Sequence, residues 1–121
     1  MIRVKRVYAR QEPDDGLRFL VDRFWPRGVK KENLQMDGWL KEVAPSDALR
    51  RWFGHDPVKW EEFCHRYAAE LQKNTAVWQP ILDIVRTQDI TLLFSAHDEV
   101  CNNAVALRLF LEERLSCASG R

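Results

Sequence analysis

Hydrophobic residues along the chain fall into three short stretches whose patterns predict β-strands. Residues 2–8 alternate apolar and basic side chains, as a strand with one solvated face does. Residues 17–23 and 90–95 contain uninterrupted apolar runs, which are typical of strands buried on both faces. The linker between the first two strands holds only about eight residues, too few for a helical crossover. We therefore expect these two strands to form an antiparallel hairpin, with a non-adjacent arrangement as the alternative.

Between the second and third strands the apolar spacing becomes helical. The predicted helices cover residues 34–43, 46–53, 56–73 and 75–85, and a fifth follows the third strand over residues 100–115. Ser46 and Asp56 are suitable N-caps, Gly54 is a suitable helix end, and Pro57 suits a first helical turn. Pro80 should delay or kink the fourth helix, because proline lacks the N–H of a helical hydrogen bond.

These elements predict an α/β fold in a single domain over residues 1–115. We expect a small mixed β-sheet of about three strands packed by about four or five helices, with a helical insertion over residues 31–86. A right-handed crossover through that insertion would make the second and third strands parallel, and adjacent if the insertion packs on one face. Residues 116–121 are small and polar, and we expect a disordered C-terminal tail there.

The amino-acid composition restricts the classes of protein to which this chain can belong. The chain has 45% hydrophobic and 31% charged residues, which is ordinary for a globular protein. Its net charge of +1 provides no general attraction to nucleic acid or to an anionic membrane, so we expect neither as a partner.

The chain begins with a strand pattern rather than a signal peptide, which indicates a cytoplasmic protein. Its three cysteines are odd in number and widely spaced, as reduced thiols are. The five tryptophans are interpreted mainly as core anchors.

Polar side chains follow the second and third predicted strands at the point where each strand ends. Asp22, Arg23 and Arg27 follow one strand, and His97 follows the other. If the two strands are parallel neighbours, these groups share one sheet edge with the N-terminal N–H groups of the last helix. Guanidinium groups and helix N-termini suit phosphate, sulfate or carboxylate, so the pattern predicts a site for a small anionic ligand. The candidate ligand-binding residues are Asp22, Arg23, Arg27, Asn102 and Asn103.

The same charges also have a structural interpretation. Asp22 could pair with Arg23 or Arg27 and lock the turn at Pro26. Two functional hypotheses therefore stay open at this point. In the first, the protein is an enzyme or a sensor for a small anionic ligand. In the second, it is a non-catalytic protein-binding or scaffold module whose strand-end ion pairs are structural.

Cys101 and His97 are the candidate catalytic residues. Cys101 lies in the predicted first turn of the last helix, where the helix dipole would lower the pKa of its thiol, and His97 could serve as its base. Six residues separate Cys101 from Arg108, so this is not a phosphatase loop. The chain contains no pair of cysteines or histidines at metal-ligand spacing, and we expect no metal and no cofactor.

One block, Asp-Arg-Phe-Trp-Pro-Arg-Gly at residues 22–28, is distinctive as a motif. Together with residues 6–8, 15–16, 44–46, 49–56, 92–96 and 102–104, it resembles the YeaO-like family within domain-of-unknown-function family 488. The resemblance spans about residues 2–115 and implies a small cytoplasmic bacterial α/β protein without an established activity. Longer relatives in that family carry Cys-His-Arg at the start of the last helix. Here the aligned triplet is Cys101-Asn102-Asn103, so the resemblance extends to the cysteine alone.

Overall fold

A parallel sheet of four strands is the centre of the protein, in a computed structural model that describes residues 1–119, with side chains described through residue 116. The strands are β1 (Ile2–Arg6), β2 (Leu17–Leu20), β3 (Gly38–Trp39) and β4 (Ile90–Phe94), in the spatial order β1-β4-β2-β3. Every neighbouring pair is parallel. The α/β class is therefore confirmed, whereas the expected mixed sheet of three strands is wrong in both strand number and direction.

Both faces of the sheet are covered, as the uninterrupted apolar runs predicted. All five residues of β4 are buried. Leu92 and Phe94 join the large core cluster on one face, and Leu93 packs with Leu20 and Leu34 in a smaller cluster on the other. Successive side chains of a strand point to opposite faces, so an unbroken apolar run is what a strand between two cores requires.

Four helices pack into the large core cluster within the described chain. They are α1 (Asp47–Phe53), α2 (Trp60–Gln72), α3 (Thr75–Val85) and α4 (Asn103–Ser119). Ser46 caps α1 by accepting the N–H of Leu49, and Gly54 ends it in the left-handed region, as expected. Asp56 caps a 3-10 turn that leads into α2. No helix within residues 1–119 is long and apolar enough to cross a membrane.

The hairpin expected between β1 and β2 is not formed. These strands are parallel, and β4 lies between them and pairs with both. Residues 7–16 therefore return from the end of β1 to the start of β2, at the opposite edge of the sheet. Ten extended residues reach about 33 Å, about twice the length of a five-residue strand, so the return needs no helix. The alternative of non-adjacent strands is the correct one.

The helix predicted over residues 34–43 is also wrong, because this segment adds β3 to the sheet. The N–H of Asp37 donates to the carbonyl of Arg18 at 2.6 Å, and Gly38 pairs with Phe19. The N–H of Leu40 also donates to the carbonyl of Leu20, at 2.8 Å. The segment's backbone hydrogen bonds go to β2 rather than to a helical turn, and the insertion is not wholly helical.

Two helix boundaries also differ from those expected. α3 runs through Pro80 from Thr75, without the delayed start. α4 begins at Asn103, three residues later than predicted, and reaches Ser119. The predicted tail, residues 116–121, therefore overlaps the last turn of α4, and residues 120–121 lie outside the described chain.

A buried charge cluster holds the linker of residues 7–16 against the smaller core. Asp15 is only 1% exposed, and its carboxylate forms ion pairs with Lys5 of β1, at 2.7 Å, and with Arg18 of β2. The hydroxyl of Thr91 in β4 donates to the carbonyl of Asp15 at 2.7 Å. One residue of the linker thus contacts all three strands that it must cross.

Candidate functional site

An open pocket of about 1090 Å³ lies at the carboxyl ends of β2 and β4. β4 continues into α4, which packs against β4 and β1, whereas β2 leads to β3 on its other side. The chain therefore leaves two adjacent parallel strands in opposite directions, and open α/β sheets form a ligand-binding crevice at such a point. The predicted parallel pairing of β2 with β4, on which the shared-edge site depended, is confirmed.

The pocket brings together most of the residues that the sequence singled out. Asp22, Arg23, Arg27, His97, Asn102 and Asn103 all line it. Cys101 does not. Within residues 1–119 no group of three or more histidine, cysteine, aspartate or glutamate side chains could hold a metal ion.

Asp22 joins three elements at the floor of the pocket. Its carboxylate accepts the N–H of Ser95 at 2.9 Å and the Ser95 hydroxyl at 2.8 Å. It also accepts the side-chain amide of Asn103 at 3.1 Å, at the start of α4. Burial raises the pKa of Asp22, and the hydrogen bonds from Ser95 and Asn103 only partly oppose that rise. Every one of these hydrogen bonds comes from a neutral donor.

The predicted ion pair between Asp22 and an arginine is not formed in the described part of the chain. The guanidinium of Arg23 donates to the carbonyls of Ala44 and Pro45, each at 3.3 Å, and its buried Nε has no hydrogen-bond partner. The exposed Arg27 side chain has no hydrogen bond or ion pair with the residues that the structure describes. Its backbone carbonyl accepts the hydroxyl of Tyr8 at 2.9 Å. The two guanidinium groups therefore bring positive charge that Asp22 does not neutralise by direct contact.

Two further arginines line the pocket, and sequence reasoning did not select either. Arg6, the last residue of β1, donates to the carbonyls of Ala96 at 2.9 Å and Ser95 at 3.3 Å. Arg50 on α1 lies over the ring of Phe24, 5.2 Å from its centroid. The position of Arg6 at the end of a strand was a usable signal, because parallel strands end at the same sheet edge. Arg50 gave no such signal, since a helical insertion brings it there.

His55 is a third pocket residue without a predicted role at this site. It follows Gly54 at the end of α1 and has a positive φ of 57°. Its charge when protonated would lower the pKa of both Asp22 and Asp98, which places it electrostatically close to both acids. The lining of the pocket thus includes the imidazoles of His55 and His97, four guanidinium groups and two carboxylates.

The two adjacent asparagines have different roles. Asn102 is buried and caps α4: its side-chain oxygen accepts the N–H of Val105, and its amide donates to the carbonyl of Asp98, each at 2.9 Å. The amide of Asn103 is used by Asp22 and by the carbonyl of Val21, at 3.2 Å. No described residue donates to the side-chain oxygen of Asn103. Asn103 can therefore accept a hydrogen bond from a ligand, whereas Asn102 is a structural cap.

Cys101 is not the activated thiol that its position suggested. It precedes α4 instead of lying in its first turn, and its N–H donates to the carboxylate of Asp98 at 2.9 Å. Burial raises the pKa of the Cys101 thiol, and the negative charge of Asp98 raises it further. The expected depression of this pKa by the helix dipole is therefore wrong.

We expect Cys101 to react several-fold more slowly with iodoacetamide at neutral pH than free glutathione does, because its thiolate fraction is reduced. Asp98→Asn should speed the reaction by removing the nearby negative charge. Peptide mapping by mass spectrometry would separate Cys101 from Cys64, whose pKa burial raises to about 11. Labelling of Cys101 as fast as that of glutathione would contradict this expectation.

Comparison with known proteins places the chain among uncharacterised bacterial relatives. A family model described as "Inactive DUF488-N3 subclade" matches residues 1–120. The chain is 43% identical over 106 residues to "Uncharacterized protein YeaO" of Escherichia coli K12, covering 88% of this chain and 92% of that protein. It is 47% identical over 76 residues to "Uncharacterized protein Rv3073c" of Mycobacterium tuberculosis H37Rv, covering 63% of this chain and 64% of that protein. No solved structure matches it significantly.

Proposed function

The chain belongs to the family described as "Inactive DUF488-N3 subclade", within the domain-of-unknown-function family 488 that the motif at residues 22–28 indicated, and we propose that its pocket binds a small anionic ligand without catalysing a reaction on it. One observation carries this proposal. Arg6, Arg23 and Arg27 line the same pocket, and none of them forms an ion pair with a carboxylate among residues 1–116.

The electrostatics of the pocket favour an anion. Four guanidinium groups and two carboxylates line it, so positive charge is in excess. Asp22 is engaged by neutral donors, and Asp98 accepts the backbone N–H groups of Val100 and Cys101. The buried Nε of Arg23 is a donor without an acceptor, and such a group costs about 1–3 kcal/mol when it is left unpaired. A bound oxyanion would neutralise the excess charge of the lining.

The groups required for catalysis are poorly placed. Cys101 lies outside the pocket lining, and burial raises its pKa. The hydroxyl of Ser95 donates to Asp22, and no described imidazole accepts its proton. Binding therefore fits the side chains better than covalent or acid–base chemistry does, in agreement with the word "inactive" in the family's description. The ion pairs of Asp22 that the scaffold hypothesis included are not formed among residues 1–116, and this favours the ligand-binding hypothesis.

Arg27→Ala should weaken phosphate or sulfate binding about tenfold, the effect of losing one charged hydrogen bond. The free energy of unfolding of this variant, in the absence of either anion, should differ from that of the native chain by less than about 0.5 kcal/mol. The reason is that the Arg27 side chain is exposed, and the carbonyl that accepts from Tyr8 remains in alanine. Thermal melts in phosphate and sulfate, with chloride at equal ionic strength as the reference, would measure both quantities.

Arg86→Ala is the matched control, because it removes the same charge from an exposed position just before β4, at the opposite edge of the sheet. Anion binding should be unchanged in this variant. An equal loss in both variants would show that only net charge matters. Melts of the native chain that do not respond to either anion would refute the proposed function.

A further inference from the structure

Two aromatic rings at the pocket remain accessible although they are large enough to be core residues. Phe24 is 58% exposed and Tyr8 is 51% exposed, and both line the pocket. Tyr67 and Phe94 lie outside this pocket and are each 1% exposed, so the fold buries comparable rings elsewhere. The pocket therefore contains planar apolar surface that internal packing does not use.

Neighbouring side chains hold both rings in place. The guanidinium of Arg50 lies 5.2 Å from the centroid of Phe24, and that of Arg6 lies 4.9 Å from the centroid of Tyr8. The Tyr8 hydroxyl also donates to the carbonyl of Arg27, which ties its ring to the turn that carries this arginine. Rings that are already positioned lose little conformational freedom when they stack on a ligand.

The size of the pocket points beyond a bare oxyanion. Its volume of about 1090 Å³ slightly exceeds the range of pockets that bind whole organic ligands, about 300–1,000 Å³. The lining of the pocket also combines two kinds of chemical group, charged donors and aromatic rings. The strand ends supply guanidinium groups from Arg6 and Arg23, and Phe24 and Tyr8 supply ring faces.

Building on the proposed anion site, we propose that the natural ligand is a phosphorylated molecule with a planar aromatic ring, which is the chemistry of a mononucleotide. Its phosphate binds Arg23 and Arg27, and its base stacks on Phe24. Single-stranded nucleic acid offers the same groups. However, a protein that follows a nucleic-acid backbone needs an extended basic surface, and this chain has a net charge of only +1.

Isothermal titration calorimetry with four probes tests the proposal. The probes are adenosine 5′-monophosphate, ribose 5-phosphate, inorganic phosphate and adenosine. We expect adenosine 5′-monophosphate to bind about tenfold more tightly than ribose 5-phosphate, because only the former has a ring to stack. Adenosine should bind weakly, because it lacks the phosphate.

Substitutions at Phe24 isolate the contribution of stacking. Phe24→Ala should weaken adenosine 5′-monophosphate binding about tenfold and leave ribose 5-phosphate binding within about twofold. Phe24→Trp should preserve the nucleotide affinity, whereas Phe24→Leu, which is apolar without a π-face, should not. Val58→Ala is the control for loss of an exposed apolar side chain, since Val58 is 92% exposed and lies outside the pocket lining.

Failure of this proposal can be distinguished from failure of the anion site. Equal affinity for adenosine 5′-monophosphate and ribose 5-phosphate, or no effect of Phe24→Ala, would overturn the nucleotide class and leave anion binding intact. No affinity for any of the three phosphate-containing probes would overturn both. Much tighter binding of a single-stranded oligonucleotide than of the mononucleotide would replace the proposed ligand with nucleic acid.

Discussion

Asp15→Ala is expected to lower the free energy of unfolding by about 4 kcal/mol, within the range for breaking a buried ion pair by removing one partner. Arg18 is only 3% exposed and would be left buried without its carboxylate. Lys5 would lose its ion-pair partner and keep only its hydrogen bond to the carbonyl of Arg10. The same side chain fixes the linker of residues 7–16, so the variant also loosens the crossing that makes β1 and β2 parallel.

Urea titration followed by circular dichroism would measure the loss. Asp14→Ala is the matched control, because Asp14 is adjacent in sequence but its side chain is 71% exposed, in a long ion pair with Arg3. Exposed pairs contribute about 0–1 kcal/mol, so this control should be nearly neutral. Similar losses in the two variants would contradict the special role of the buried cluster.

The pH dependence of stability should follow the titration of Asp15. Burial raises its pKa, but the hydrogen bonds from Lys5, the Glu12 backbone and Arg18, together with the charge of Lys5, outweigh burial and lower the pKa overall. A carboxyl whose pKa is lower in the folded state contributes its full stability above its unfolded-state pKa. This contribution is lost as the pH falls through the folded-state pKa. The native chain should therefore lose stability in acid more steeply than Asp15→Ala does.

Asp22→Asn is expected to separate the structural role of the Asp22 carboxylate, at the floor of the pocket, from its electrostatic role. The Asp22 carboxylate is the acceptor in all of its hydrogen bonds, and the donors are on Ser95 and Asn103. An amide must turn its own NH₂ towards one of these donors, which should cost about 2 kcal/mol of stability. Loss of the negative charge should at the same time strengthen sulfate binding, on the order of fivefold.

Sulfate affinity measured as a function of pH would test the electrostatic part. Burial raises the pKa of Asp22, so this carboxyl retains its proton to a higher pH in the folded protein than in the unfolded chain. Stability from this group is therefore lost as the pH rises from its unfolded-state pKa to its folded-state pKa. Over that window the native chain should also bind sulfate less tightly as Asp22 ionises.

In Asp22→Asn that component of the pH dependence should vanish. Parallel pH profiles for the native chain and the variant would remove Asp22 from the electrostatics of the site. Weaker sulfate binding by the variant would instead indicate that Asp22 positions the binding groups.

The elements that sequence reasoning predicted well depend on local chemistry. A side-chain oxygen at Ser46 can satisfy the orphan N–H groups of a helix, and Gly54 adopts a left-handed conformation wherever the helix lies in the fold. β4 is apolar throughout because it lies between two cores, and this condition is visible within five residues. The parallel pairing of β2 with β4 followed from the long connection between them.

The elements that it missed depend on residues far away in the chain. β1 and β2 resemble a hairpin until β4, more than sixty residues later, inserts between them. Residues 34–43 have apolar spacing that also fits a helix, but the backbone N–H groups of Asp37 and Leu40 donate to β2 and make this segment a strand. Secondary-structure patterns record which residues are buried but not which strand completes the sheet.

In the candidate site, too, the positions of the residues could be predicted from the sequence, whereas their hydrogen-bond partners could not. Asp22, Arg23, Arg27 and Asn103 could be placed at one sheet edge from the ends of two apolar runs, because strand direction determines where a chain emerges. The partners of those side chains could not be predicted, since a carboxylate binds whichever donors the packed fold brings nearest. For Asp22 these donors come from the end of β4 and the start of α4, and so the positive charge of the arginines remains available to a ligand.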